Sequence, residues 1–173
     1  MTVNPAGSVT SGPYAVRRLV PADVPALVKI IDTVRREYGV QRLLPEVIEP
    51  SDRHLFGTYQ RPRSEYFVAL YAGVVVGGAG IAPLSGGDAE TCELQRMYLS
   101  VDHRRQGVGQ LLLNQCLRQA KSCQFRRCYA ETVSEMRGAI RFYEANGFQR
   151  LDSPLGSSGH EHNDYWLIRD LMS

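Results

Sequence analysis

Arg104-Arg105-Gln106-Gly107-Val108-Gly109 is the stretch on which the reading of this chain turns. It follows a β-rich run, Glu93-Leu94-Gln95-Arg96-Met97-Tyr98-Leu99. It opens a segment in which Val108, Leu111, Leu112, Gln115 and Leu117 fall near one helical face. Strand, glycine loop and helix in that order bring the first turn of a helix beside a strand end. The N–H groups of that turn have no partners inside the helix, and they carry the positive end of its dipole. Together they form an anion site suited to a pyrophosphate. A tight strand-to-helix turn without a ligand is the rival reading, because Gly-x-Gly alone is a weak signal. Two common nucleotide loops do not fit. The Gly-Lys-Ser/Thr of a Walker loop is absent. A dinucleotide fingerprint needs a third glycine three residues after Gly109, where Leu112 stands.

Outward from the loop, the pattern alternates between strands and helices. Residues 14–19 read as a first strand. Leu27, Ile30, Ile31, Val34 and Tyr38 then follow helical spacing, with Pro21 and Asp23 at the start and Gly39 at the exit. Residues 40–64 are weakly patterned, so loop and short helical pieces are expected. Residues 65–70 and 74–82 read as a hairpin turned at Ala72-Gly73. Ser85-Gly86-Gly87-Asp88 is the next turn. Residues 128–132 form a strand, and residues 134–145 a helix that Ser134 can cap. Asn146-Gly147 ends that helix, since glycine takes the left-handed conformation a helix C-terminus favours. Residues 148–151 and 164–168 are the last strands, with a Gly/Ser loop over 155–162. The order predicts an α/β fold, with helices packed on one mixed sheet.

Bulk properties agree with one domain and narrow the function. The chain has 173 residues, enough for a full core. Residues 1–12 are polar and rich in Gly, Ser and Pro, so they read as a loose tail rather than a secretion signal, with residues 13–173 as the domain. Net charge is +2, and no Lys/Arg block dominates, so nucleic acid is not implied. No run approaches the roughly 20 apolar residues of a membrane helix. Cys92, Cys116, Cys123 and Cys128 include no Cys-x-x-Cys pair. Buried free thiols fit a reducing cytoplasm. His160 and His162 form a His-x-His pair without an evident ligand set, so no metal is expected.

The loop and its surroundings resemble the GNAT family of N-acetyltransferases. The family motif is Gln or Arg, two residues, Gly, one residue, then Gly or Ala. Arg104, Gly107 and Gly109 fill it. The run from Glu93 to Leu99 is similar to the family's fourth strand. Phe142-Tyr143-Glu144-Ala145-Asn146-Gly147-Phe148 resembles its late F-Y-E-x-x-G-F signature. The resemblance implies the acyl-CoA N-acyltransferase (GNAT) fold, a mixed and mostly antiparallel central sheet flanked by helices. One departure stands out: Met136 occupies a position where many members carry an asparagine that contacts the cofactor.

The resemblance also implies a reaction and its residues. Acetyl-CoA would be the co-substrate, and a primary amine would attack it directly in a ternary complex. Tyr143 matches the tyrosine that protonates the departing thiolate, its alternative being an aromatic that only packs. Glu93 matches the strand position where some members place a general base, acting directly or through water. A glutamate facing solvent or paired with an arginine is the alternative there. Main-chain groups of Met97, Tyr98 and Leu99 would hold the pantetheine arm. N–H groups from Gln106, Gly107, Val108, Gly109 and Gln110 would hold the pyrophosphate. Arg104, Arg105 or Arg141 would reach the 3′-phosphate. The acceptor stays open between a small molecule and a peptide or protein amine, and homodimers are common in such families. A non-catalytic acyl-CoA-binding or sensing module is the alternative function; it would need neither Glu93 nor Tyr143.

Overall fold

The computed structural model describes residues 2–3, 9–39, 54–159 and 162–172. Strands β1 (Thr2–Val3), β2 (Val9–Ser11) and β3 (Tyr14–Arg18) lead into helix α1 (Val24–Glu37) and the single turn α2 (Leu55–Thr58). A run of strands follows: β4 (Glu65–Tyr71), β5 (Val74–Pro83) and β6 (Thr91–Leu99). Helix α3 (Val108–Ser122), β7 (Arg127–Thr132), α4 (Arg137–Ala145), β8 (Gln149–Leu151) and β9 (Tyr165–Asp170) complete the chain. The strands form one sheet in the order β1-β2-β3-β4-β5-β6-β7-β9-β8. Every neighbouring pair is antiparallel except β6 with β7. That is the mixed, mostly antiparallel sheet the sequence implies.

Alternation along the strands divides the interior into two cores. Phe67, Ala69, Cys92 and Leu94 face one side, where Val108, Leu112 and Cys116 of α3 and Tyr143 of α4 cover them. Tyr66 and Val68 face the other, where Leu27 and Ile31 of α1 and Leu55 of α2 cover them. Helix α1 owes its face to Leu27, Ile31 and Val34, all buried at helical spacing. Its start is fixed by buried Asp23, which accepts two bonds from Arg17 at 2.7 and 2.9 Å and the Val20 N–H at 2.9 Å. Burial alone would raise the Asp23 pKa; Arg17 and the Val20 N–H outweigh it and hold the carboxyl below its usual range.

Strand β5 runs directly under the aromatic rings of the α1-side core. A methyl on Gly78 would come within 2.5 Å of the Tyr66 ring and 2.7 Å of the Phe67 carbonyl. One on Gly80 would come within 2.5 Å of Tyr66 and 2.7 Å of Tyr59. The glycines therefore admit two buried tyrosines against the sheet.

Two expectations are corrected. Residues 1–12 read as a loose tail, yet Val9–Ser11 pairs with β3 and Val9 is buried in the core. Pairing on both sides, with β1 and β3, and burying that one valine outweigh the Gly/Ser/Pro composition around it. Ser134 does not cap α4, which starts at Arg137 after Met136. Its hydroxyl and N–H instead bond Asp164 at 2.8 and 2.7 Å, so the stretch before α4 is tied to the approach to β9. Of the weak segment 40–64, residues 40–53 lie outside the described residues, and Leu55–Thr58 supplies a helical turn.

Replacing Gly78 with Ala should cost about 1–3 kcal/mol, because the Phe67 backbone cannot step aside. A lower denaturation midpoint with an unchanged slope checks this.

Candidate active site

The parallel ladder between β6 and β7 spans only three residue pairs: Thr91 with Arg127, Cys92 with Cys128, and Glu93 with Tyr129. Beyond them the strands part. Strand β6 stays with β5, and β7 stays with β9. A bulge helps to turn β6 away. Gly78 faces Tyr98 and Gly80 faces Gln95, so Arg96 and Met97 together oppose the single residue Ala79. Arg96 takes the left-handed conformation there, with φ of 47°. The bulge also resets the alternation. Met97 and Leu99 pack toward the α3 core, while Tyr98 packs toward α1. The side of β6 that faces the gap at Met97, Tyr98 and Leu99 has no strand partner, so its main-chain groups suit an extended ligand carrying amides.

The glycine loop lies at the end of this gap. Gly107 is the residue before α3, left-handed at φ 81°, and no side chain caps the helix. Leu111 is the first N–H to bond back, to the Gly107 carbonyl at 3.2 Å. The first-turn N–H groups of Val108, Gly109 and Gln110 are thus offered outward. No atom lies within 4 Å of the place a Gly107 side chain would take. Gly109 lies where strand and helices converge, 3.4 Å from Leu99 and 3.7 Å from Phe142 by the same measure.

Long-range contacts hold the loop in place. The Tyr14 hydroxyl donates to Gln106 Oε1 at 2.7 Å, and Gln106 Nε2 donates to the Asp102 carbonyl at 2.6 Å. Tyr14 has one hydrogen to give, so its 2.9 Å contact with His103 Nδ1 is a bond received from the imidazole. Arg104 donates to both Glu37 oxygens at 2.6 Å and to the Leu99 carbonyl at 3.0 Å. Its hydrogen bonds hold the Glu37 carboxyl below its usual range, against a smaller upward push from burial. The Arg104 side chain therefore clamps the loop to α1 and the end of β6. Its N–H is also taken, by Val101 at 3.3 Å. Arg105 in the loop and Arg137 and Arg141 on α4 are exposed cations.

Tyr143 is positioned by the way α4 ends. The Phe148 N–H bonds the Tyr143 carbonyl at 3.1 Å, and the Gly147 N–H bonds that of Glu144 at 3.0 Å. With Gly147 at φ 78°, this is a Schellman cap, and its apolar contact is the Tyr143–Phe148 pair at 5.5 Å between rings. The signature run is thus a helix-ending device with the tyrosine built into it. Gln110 Nε2 donates to Asn146 Oδ1 at 2.6 Å, tying this cap to the first turn of α3. The Tyr143 ring is buried, and its phenol senses both Tyr98 on β6 and Cys128 on β7. Burial pushes its pKa up, so the hydroxyl keeps its proton.

Glu93 comes to the gap from the other face. It alternates with Cys92 and Leu94, which point to the α3 core, so it faces α1 and is buried. Gln95 Nε2 donates to Glu93 Oε2 at 2.6 Å, and Tyr59 donates to Gln95 Oε1 at 2.9 Å. Tyr129, beside Glu93 on β7, donates to Glu131 at 2.9 Å. Sequence reading missed Tyr59, Gln95 and Tyr129, which carry no motif; their signal is polar groups at strand positions that alternation sends inward. A loop closes this side. The Ser157 N–H bonds the Ser85 carbonyl at 2.7 Å, and the Leu155 N–H reaches the Tyr129 hydroxyl.

A family model described as the acetyltransferase (GNAT) family matches residues 28–148. The chain belongs to this family. A relative from Escherichia coli strain K12, the uncharacterized N-acetyltransferase YjgM, is 38% identical over 156 residues, 90% of this chain and 93% of the relative. Among solved structures, a GNAT acetyltransferase from Staphylococcus aureus Mu50 superposes with a TM-score of 0.79 at 19% identity, over 91% of this chain and 99% of that one. The putative acetyltransferase yncA from Salmonella typhimurium, solved with acetyl-CoA, gives 0.71 at 20% identity, over 92% and 95%. This chain is therefore a GNAT acetyltransferase in fold and family. Among the described residues no group of three or more His, Cys, Asp or Glu side chains can hold a metal. His160 lies outside them. No described helix is long and apolar enough to cross a membrane.

The loop clasp gives a test of the site's closed side. Gly156 has φ 66°, and a methyl there would run into the Ser85 carbonyl. Gly156→Ala should lower stability by about 1–3 kcal/mol and speed amide exchange at Leu155 and Ser157 while leaving that of α3 unchanged.

Proposed function

We propose that this GNAT protein transfers the acetyl group of acetyl-CoA to a primary amine by direct attack in a ternary complex. What supports the reading is the uncapped N-terminus of α3 beside the unpartnered edge of β6, with Tyr143 buried in the core that α3 covers. The loop N–H groups of Gln106 and Gly107 and the first-turn N–H groups of Val108, Gly109 and Gln110 take the pyrophosphate. Main-chain groups of Met97, Tyr98 and Leu99 take the pantetheine amides. An N–H near Leu99 polarises the thioester carbonyl. Exposed Arg105 is the better placed cation for the 3′-phosphate, since Arg104 is held by Glu37.

The amine nitrogen attacks the acetyl carbon, forming the C–N bond. Glu93 accepts a proton from the amine, directly or through water. As the C–S bond breaks, Tyr143 donates a proton to the sulfur, and the proton held by Glu93 returns through solvent. The products are an amide and CoA thiol. With Glu93 as base on the α1 face, the proposed acceptor enters from that face, past Tyr98, Tyr129 and the 155–157 loop. A small molecule and a peptide amine are both admitted by this reading. The four free cysteines suit a reducing cytoplasm.

Two measurements test the reading. Acetyl-CoA at about 100 times its dissociation constant should add about 2.7 kcal/mol of stability. A folded Gly107→Asp/Gly109→Asp variant should show no such gain; if the parent shows none either, the cofactor assignment falls. Tyr143→Phe keeps the ring of the helix cap. It should lower turnover roughly 10²-fold or more while acetyl-CoA affinity moves only a few-fold. Unchanged turnover at saturating acetyl-CoA removes the acid role.

A further inference from the structure

We propose that Gln95 and Tyr59 are positioning residues for Glu93, linked to Arg96 in a hydrogen-bond chain that runs in one direction. The proposal rests on the reading of Glu93 as the base. Two bonds of the chain have been described: Tyr59 to Gln95 Oε1 at 2.9 Å, and Gln95 Nε2 to Glu93 Oε2 at 2.6 Å. The third is the contact of the Arg96 side chain with the Tyr59 hydroxyl.

Direction follows from donor inventory. A guanidinium donates and cannot accept. Tyr59 therefore receives from Arg96 and sends its single hydrogen to Gln95. With its oxygen occupied, the Gln95 amide must turn its NH2 group to Glu93. A carboxamide free to rotate would offer either end, and a protonated Glu93 would select the oxygen. The chain forbids that choice. It favours the ionised carboxylate, the form a base needs, in a buried place that by itself disfavours charge.

The same bulge that opens the gap supplies the cation. Arg96 sits at the left-handed bulge residue and reaches Tyr59 on the α1 face, next to Gln95. Tyr59 is buried against Tyr66 with ring centres 5.0 Å apart, so its hydroxyl has a fixed place. Other groups face Glu93 and stay unchanged in the test. Tyr129 is the ladder partner of Glu93 and donates to Glu131, and Tyr66, Arg35 and Tyr98 lie on the same α1 side of the sheet.

The test titrates Glu93 directly, without an acceptor. Protein labelled with 13Cδ-glutamate is followed by NMR across pH, with the Glu93 signal assigned by its loss in Glu93→Gln. Gln95→Leu removes the donor. Tyr59→Phe keeps the ring and frees the amide to turn. Each should raise the Glu93 pKa by about one pH unit or more, a tenfold change in its protonation equilibrium. The Glu37 signal should not move, and melting curves confirm that the variants fold. A Glu93 titration unchanged in both variants overturns the proposal. Turnover is measured separately by CoA thiol release on a panel of primary amines. Loss of turnover in Glu93→Gln supports the base reading. Full turnover there removes it, and the positioning role with it, whatever the titration shows.

Discussion

The parallel pairing of β6 with β7, and its end after Glu93 and Tyr129, is the constraint from which the site follows. Parallel neighbours need a crossover, and here α3 makes it. A crossover helix begins where the first strand ends. The N-terminus of α3 must therefore fall at the C-terminal end of β6, as ligand sites do beside parallel strands. Had the ladder continued, the β6 edge would be filled by β7. Its early end leaves a slot lined by unpaired main chain, with unpaired N–H groups at its head. Anion and amide recognition are thus consequences of topology before any side chain is chosen.

Side chains then divide the labour by sheet face. The α3 face brings Tyr143, fixed by the cap at Gly147 and by the Gln110–Asn146 bond. The α1 face brings Glu93, fixed by Gln95 and Tyr59. A continuous sheet would separate the two groups. In the proposed transfer, only at the gap can a donor on one face and an acceptor of protons on the other serve the same carbon. The Arg104 clamp joins the two halves. One guanidinium ties the end of α1, the last carbonyl of β6 and the glycine loop together. An ion pair this exposed contributes little stability, roughly 0–1 kcal/mol, so its effect is on geometry.

What could be read in the sequence was local. Gly107 and Gly147 each serve a left-handed residue at a helix end, and such needs are written in adjacent residues. Alternation and helical spacing gave the main strands and helices for the same reason. Contacts between distant residues were not legible. Tyr14 and Gln106 lie 92 positions apart, Arg104 and Glu37 lie 67 apart, and no spacing rule links them. Arg104 shows the difference. Its motif position points to a phosphate, but its side chain found a carboxylate. Ser134 is similar, since a capping residue by local rule was taken by Asp164, thirty positions on. Val9–Ser11 is too short a strand for periodicity to register.

The burial of Tyr143 bears on how it acts in the proposed transfer. A free thiol loses its proton at about pH 8.5, and an ordinary phenol at about 10. Burial pushes the Tyr143 phenol higher still. Handing its proton to a finished thiolate would then be uphill by about 2 kcal/mol or more. Donation must accompany C–S cleavage, when charge is still building on the sulfur and the bond to carbon is not yet gone. The same burial keeps the tyrosine from ionising at working pH. A phenolate in the gap would repel the sulfur as it gains charge. A weak acid that keeps its proton until the C–S bond breaks, and regains it afterwards, is therefore the better partner for this leaving group. An apolar cradle of Phe142, Phe148 and the α3 core supplies that property.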